Sequence, residues 1–166
     1  QAVRGFCQKE VAPLVDHAEE HNKFPVQIFP KMGELGYLCV RYPARYGAAE
    51  LGKVSECILV EEMGRIAGGI ASAIMIHSGL GTCLINDHGS EELKQKYLIP
   101  AIKGQKISAF ALTEPNAGSD AANMESRAVR DGNHYVLNGT KIFITNGPIA
   151  DFSIVAAYTD KSRGAG

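Results

Sequence analysis

The hydrophobic period of this chain changes once, near residue 107, and that change restricts the folds open to it. Up to about residue 105 apolar residues recur at helical steps. Val3, Phe6, Val11, Leu14 and Ala18 follow one another at steps of three to five, as on one face of an amphipathic helix. Phe24-Pro25 interrupts the pattern, and Pro25 is placed to open a second helix through Ile28, Met32 and Leu35 to Gly36. Tyr37 to Gly52 holds Pro43, Gly47 and Gly52 and reads as a long loop. Val54, Cys57, Ile58 and Glu61-Glu62-Met63 make a further helix. Ile66 to Ile85 is the most apolar segment and reads as a buried helix followed by a glycine-rich bend. Ser90 is a natural N-cap, with Glu91 and Glu92 at the positive end of a helix that runs towards Ile102 and stops at Gly104.

Beyond that point the period is two. Ile107, Ala109 and Ala111 alternate with Ser108, Phe110 and Leu112. Further strands are expected at Met124 to Arg130, Tyr135 to Leu137, Lys141 to Thr145 and Phe152 to Tyr158. Asp131-Gly132 is a hairpin signal, Asn138-Gly139 another turn, and Asn146-Gly147-Pro148 a break. Helices first and strands afterwards predict α+β or two domains, divided near residues 105–108, and not a βαβ sheet. A block of about 60 residues with four or five strands would leave open edges. The β part is therefore expected to be incomplete, ending in a loop-like tail at Lys161-Ser-Arg-Gly-Ala-Gly.

Charge and composition narrow the function classes. The formal net charge is -1, so neither a basic stripe for nucleic acid nor an acidic tail is present. Ile66 to Ile85 carries no formal charge, yet its four glycines and His77 favour a buried helix over a membrane span. Cys7, Cys39, Cys57 and Cys83 form no C-x-x-C pair, and they read as buried free thiols of a reducing compartment. His17-Ala-Glu-Glu-His21 fits H-x-x-E-H, but no third ligand is evident, and a solvated helix face explains it; no metal is expected. Gly79-Leu-Gly81 lacks the third glycine of a dinucleotide fingerprint and no strand precedes it, so a Rossmann reading fails. No signal peptide is visible, although the chain opens on Gln1 rather than Met, which leaves room for a removed targeting segment.

Two polar strand ends carry more chemistry. In Phe110-Ala-Leu-Thr-Glu-Pro-Asn-Ala-Gly-Ser-Asp120, Pro115 turns the chain and Gly118 lets backbone approach a ligand closely. The hydroxyls of Thr113 and Ser119 can donate to carbonyl or phosphate oxygens. A capped turn would explain the same residues. Ile144-Thr145-Asn146-Gly147 is a second polar strand end, open to the same two readings.

Taken together, these stretches resemble the acyl-CoA dehydrogenase family. The matching pieces are Phe110 to Asp120, Asn138-Gly-Thr-Lys-Ile-Phe-Ile-Thr-Asn-Gly147, Glu61-Glu62-Met63-Gly64 and Glu91 to Pro100, so the resemblance covers essentially the whole chain. It implies an all-α helical domain at 1–106 followed by the first, truncated part of an antiparallel, β-barrel-like middle domain at 107–166. It also implies FAD. Phe110, Leu112, Thr113, Gly118 and Ser119 would line the flavin, with Ser119 also reaching the CoA substrate. Phe143, Ile144 and Thr145 would form the second flavin contact. Many members carry Trp where Phe143 stands; Phe keeps the aromatic face without the indole N–H.

The implied reaction is oxidation of an acyl-CoA thioester to the trans-2-enoyl-CoA. A glutamate removes the α-proton, hydride leaves to the flavin, and electrons pass to an electron-transfer flavoprotein. The developing charge at the thioester oxygen needs stabilising and water must be kept out. Family members supply the base from a C-terminal helical part, and none of Glu61, Glu62, Glu91, Glu92 or Glu114 matches it. This chain alone is thus expected to be an inactive fragment with no catalytic residue of its own. A homotetramer or homodimer is expected for the full-length form, in bacterial cytoplasm or the mitochondrial matrix, without nucleic-acid or membrane partners. The Met75 to Thr82 region is a candidate wall for the acyl tail. The competing readings are a non-catalytic helical interaction or flavin-binding module, and an acyl-CoA oxidase.

Overall fold

Two prolines shape the first and last helical runs of the computed structural model, which describes residues 1–163. The first run is α1 (Ala2–Phe6), a π-helical turn (Cys7–Val11) and α2 (Ala12–His21). A proline inside a helix has no N–H for the carbonyl four residues back, and its ring crowds that carbonyl. The ladder therefore opens ahead of Pro13, where the Ala12 N–H reaches the Cys7 carbonyl five residues back. The same device recurs before Pro100. There α7 (Glu91–Leu93), a π turn (Lys94–Leu98) and α8 (Ile99–Ile102) are continuous, and the Ile99 N–H reaches the Lys94 carbonyl. Between these runs lie α3 (Ile28–Glu34), α4 (Lys53–Gly64), α5 (Gly68–Ser78) and α6 (Cys83–His88).

Pro25 sits in the turn ahead of α3 and not at its first position, because the Ile28 N–H bonds the Pro25 carbonyl at 3.1 Å. Ser90 caps α7, accepting from the Leu93 N–H at 3.3 Å. Gly104 stops α8 at φ +67. A Cβ there would overlap the Phe29 backbone, and one on Gly33 would overlap Lys103, so α3 and α8 meet backbone to backbone. The core gathers around Val11, Phe29, Met32, Met63, Ile74 and Leu98, all at most 1% exposed. The run 68–88 is long and apolar enough to span a membrane, but it breaks between α5 and α6, and 44% of its most apolar window is buried in the protein.

The thiols divide where the sequence suggested four buried ones. Cys7 and Cys39 are buried, whereas Cys57 is exposed and Cys83 half-buried. The last two lie on the outward sides of α4 and α6, beside a cavity described below. None is bridged among the described residues.

The β half holds β1 (Ser108–Ala111), β2 (Arg127–Asp131), β3 (His134–Asn138) and β4 (Phe152–Val155). The fold is α+β, but the barrel-like description is loose: the described strands form two two-stranded sheets. β2 and β3 are an antiparallel hairpin turning at Gly132-Asn133, with Gly132 at φ +58. β1 and β4 pair in parallel, Ser108 opposite Phe152, which a long connection between them allows. The expected strand at Lys141 to Thr145 does not form. Phe143 at φ +55 and Asn146 at φ +67 break any extended run there. Asn138-Gly139 makes no hairpin either; it closes β3, and Gly139 presses on Ser126 with no room for a Cβ. Residues 161–163 form a 3-10 turn; the rest of the expected tail lies outside the described residues.

Candidate functional site

The two polar strand ends meet. β1 stops at Ala111, and the turn Glu114–Ala117 closes on itself through reciprocal backbone bonds of 2.9 and 3.2 Å. Pro115 occupies the bend, which accounts for its place in the motif. The buried Glu114 carboxylate faces Lys141 Nζ at 2.7 Å and also accepts from the Ser126 and Glu125 N–H groups. Lys141 Nζ donates to the Leu112 carbonyl at 2.8 Å as well. With Lys141 the largest influence, then Ser126 and Glu125, the Glu114 carboxyl is held down at about 2. The Ile142 N–H donates to the Thr113 carbonyl at 2.9 Å. The Leu112–Thr113 arm is thereby clipped to the start of the 143–145 arm.

That second arm is an exposed arch. Phe143 is 90% exposed in a left-handed conformation, Ile144 is half-buried, and Thr145 is exposed. Beyond it Asn146 turns inward, its Nδ2 donating to the carbonyls of Ala73 at 2.9 Å and Ser108 at 3.1 Å. Ser108 is held in turn by His77. The Ser108 N–H donates to His77 Nδ1 at 3.1 Å, and His77 Nε2 lies 3.0 Å from the Ala101 carbonyl. A carbonyl can only accept and an N–H only donate, so these partners require the Nε2–H tautomer. Burial pushes His77 down to about 4, which keeps the ring neutral.

The candidate residues thus divide. Leu112, Thr113, Ile144 and Thr145 belong to the two clipped arms, and Phe110 sits half-buried in β1 opposite Ile154. Gly118 and Ser119 stand apart, exposed, on the limb that follows the Glu114–Ala117 turn. Among the described residues nothing lies within 4 Å of where a Gly118 Cβ would stand, so no contact with them demands glycine there. Sequence reasoning missed Lys141, the amide of Asn146 and the His77–Ser108 brace. A lone histidine in an apolar helix and an Asn-Gly step were the only local signals.

A separate cavity of about 600 Å³ opens between α4 and the α5–α6 bend. Met75, Ile76, Gly79 and Leu80 of the expected acyl-tail region line it together with Cys83 of α6, and Cys57 and Val60 line it from α4. Arg41 and Glu56 also line it and pair at 2.6 Å. Gly79 has its own packing reason, since a Cβ would stand 2.9 Å from the Met75 carbonyl. His17 and His21 stack at 4.2 Å, and His21 Nδ1 meets the His17 carbonyl. No cluster of three metal-ligating side chains occurs among the described residues.

Residues 1–105 match the family model for the acyl-CoA dehydrogenase N-terminal domain, and residues 109–166 match the model for the middle domain. A short-chain specific acyl-CoA dehydrogenase of Clostridium acetobutylicum is 44% identical over 99% of this chain and 43% of its own length. A glutaryl-CoA dehydrogenase from Mycobacterium smegmatis, solved in complex with FADH2, superposes with a TM-score of 0.91 at 37% identity, covering 95% of this chain and 41% of that one. A chain in a solved structure concerning the electron transferring flavoprotein of Acidaminococcus fermentans superposes with a TM-score of 0.92 at 40% identity, covering 98% of this chain and 43% of that one. The chain therefore spans less than half the length of these relatives.

Proposed function

The chain belongs to the acyl-CoA dehydrogenase family, and from that we propose that it is the flavin-holding front part of an FAD-dependent acyl-CoA dehydrogenase. One observation carries this reading: two polar arms, far apart in sequence, are clipped side by side, with Thr113 half-buried and Phe143 and Thr145 exposed. Phe143 keeps an aromatic ring 90% exposed on a strained backbone, an arrangement that suits a surface awaiting a planar partner. The open space around Gly118 suits close approach of a cofactor.

In this reading residues 1–106 are the helical domain and 107–166 the first part of the middle domain. Phe110, Leu112, Thr113, Phe143, Ile144 and Thr145 hold the isoalloxazine. The Thr113 and Thr145 hydroxyls direct hydrogen bonds at it, and Gly118 and Ser119 meet the cofactor and the CoA part of the substrate. Bound there, FAD would supply the two-electron oxidation of an acyl-CoA to the trans-2-enoyl-CoA. The cavity along Met75, Ile76 and Leu80 receives the acyl tail and keeps it from water. Four of the five candidate carboxylates are engaged, and the fifth, Glu92, is exposed in the first turn of α7. Glu114 is engaged by three donors, Glu61 pairs with Arg65, Glu62 with Arg4, and Glu91 accepts from Tyr46. As the family resemblance implies, the base comes from a part outside these residues, and electrons leave to an electron-transfer flavoprotein. An oligomeric full-length enzyme, in bacterial cytoplasm or mitochondrial matrix, fits the same reading.

The full-length protein carrying this chain tests it. Purified material is expected to hold FAD, and anaerobic addition of butyryl-CoA and longer acyl-CoAs is expected to bleach the flavin absorbance for at least one of them. Colourless protein that takes up no FAD sinks the proposal. Oxygen uptake matching substrate loss would move it to the acyl-CoA oxidases. Turnover by the 166-residue chain with FAD alone would overturn the assignment of the base to another part.

A further inference from the structure

The arch that carries Phe143 and Thr145 stands on two feet. The first is the clip at Ile142 and Lys141, which bond the Thr113 and Leu112 carbonyls. The second is Asn146, which is 7% exposed. Between them the chain holds an aromatic residue in the left-handed region, a conformation that costs energy and persists only where neighbours over-determine it. Packing cannot supply that restraint, because the Phe143 ring is 90% exposed. The restraint must come through the feet.

The second foot is a brace of three parts. The Asn146 amide donates once to α5, at Ala73, and once to β1, at Ser108. Ser108 is itself tied to α5, where its N–H bonds His77 Nδ1 and its Oγ lies 3.2 Å from the His77 carbonyl. The amide thus supplies two sides of a triangle whose third side, Ser108 to His77, already exists. An apolar side chain of the same size would leave both carbonyls without this donor. Two residues before Asn146 the arch starts a turn closed by the Gly147 N–H on the Ile144 carbonyl at 2.9 Å, so Thr145 and Asn146 are its two central residues and the amide ties that turn to α5 and β1. α5 also provides Met75 and Ile76 to the cavity wall, so one helix touches the cavity and anchors the arch.

We propose that Asn146 is a positioning residue: its two amide donors fix the Thr145 hydroxyl and the Phe143 ring at the flavin face. This rests on the flavin reading above. Asn146 touches no reacting atom and acts through its neighbours. Asparagine also tolerates its own φ of +67, so a purely conformational role is the competing explanation.

N146G and N146D in the full-length protein separate the two. Glycine keeps the backbone freedom and removes both donors; aspartate keeps the shape and replaces the donors with a carboxylate. The readouts are the visible spectrum and midpoint potential of bound FAD, and kcat and KM for the acyl-CoA. Both variants are expected to bind FAD with an altered spectrum and a shifted potential, and to lose about tenfold to a hundredfold in kcat with little change in KM. S90A, which weakens a distant cap, is expected to lower thermal stability without moving spectrum or potential. N146G with the spectrum, potential and kcat of the parent overturns the proposal and leaves only the conformational role. If N146G yields no holoprotein, N146S, which retains one donor, takes its place: intermediate kcat and potential support the proposal, and parental values overturn it. Parent protein that binds no FAD refutes the flavin reading itself, an outcome distinct from these.

Discussion

The helical half and the β half differ in what holds them together. In the helical half Val11, Ile28, Phe29 and Met32 are 0% exposed. In the β half Val129 is 58% exposed, Tyr135 60%, Leu137 50% and Phe143 90%. The first region is held by a packed interior. The second is held by hydrogen bonds and one buried ion pair, around side chains turned outward. A region that is shaped by polar clips and leaves its apolar groups uncovered is suited to receive something, whether cofactor, substrate or further chain. The helical half supports it through its core and keeps an opening of its own, the cavity lined by Met75 and Leu80.

Breaking the helical side should have the largest effect. Phe29→Ala removes a fully buried ring that also packs edge-on against His77 at 4.9 Å, and a loss of about 3–5 kcal/mol in urea unfolding is expected. A loss below 1 kcal/mol, as at a surface site, would erase the contrast.

Acid should act next, on both regions in turn. His77 has its folded value depressed from 6.5 to about 4 by burial, so the unfolded chain binds more protons in that window. Its contribution is complete above 6.5 and is lost as pH falls towards 4. Glu114 is depressed from 4.5 to about 2, chiefly by Lys141, and its contribution disappears at lower pH, between those values. Thermal melts from pH 7 to pH 3 are expected to fall first through the His77 window, and His77→Gln should flatten that part. An unchanged slope in the variant would show that another group dominates.

Ser90→Ala should cost about 1 kcal/mol by loss of the helix cap. Val129→Thr on the hairpin should change the stability of this chain by no more than about 0.5 kcal/mol, because the side chain is 58% exposed here. A larger loss in the full-length protein than in this chain would identify the hairpin as covered there. Equal small changes in both would mean that it stays exposed.

Legibility followed the range of the interactions. The cap at Ser90, the stop at Gly104 and the bend after α5 were readable, because each depends on residues within a turn or two of one another. The π turns depend on Pro13 and Pro100, which were visible, but the helical period hides a one-residue widening. Phe143 defeated the period-two reading. Lys141 to Thr145 has strand-like composition, yet among the described residues no strand pairs with it and its ends are tied elsewhere. The thiols misled for a related reason: apolar neighbours in sequence leave open which side of a helix faces the core.

What the amino-acid order determined by itself was the α-then-β division, most helix limits and the two polar motifs with their family resemblance. These are set by side-chain size, φ preference and spacing over a few residues. Only the tertiary structure decided that Glu114 would meet Lys141, 27 residues on, that β1 would pair in parallel with β4, and that Asn146 would reach Ala73 across 73 residues. A buried charge or amide needs a partner, but its chemistry accepts many. The packed helices leave one within reach.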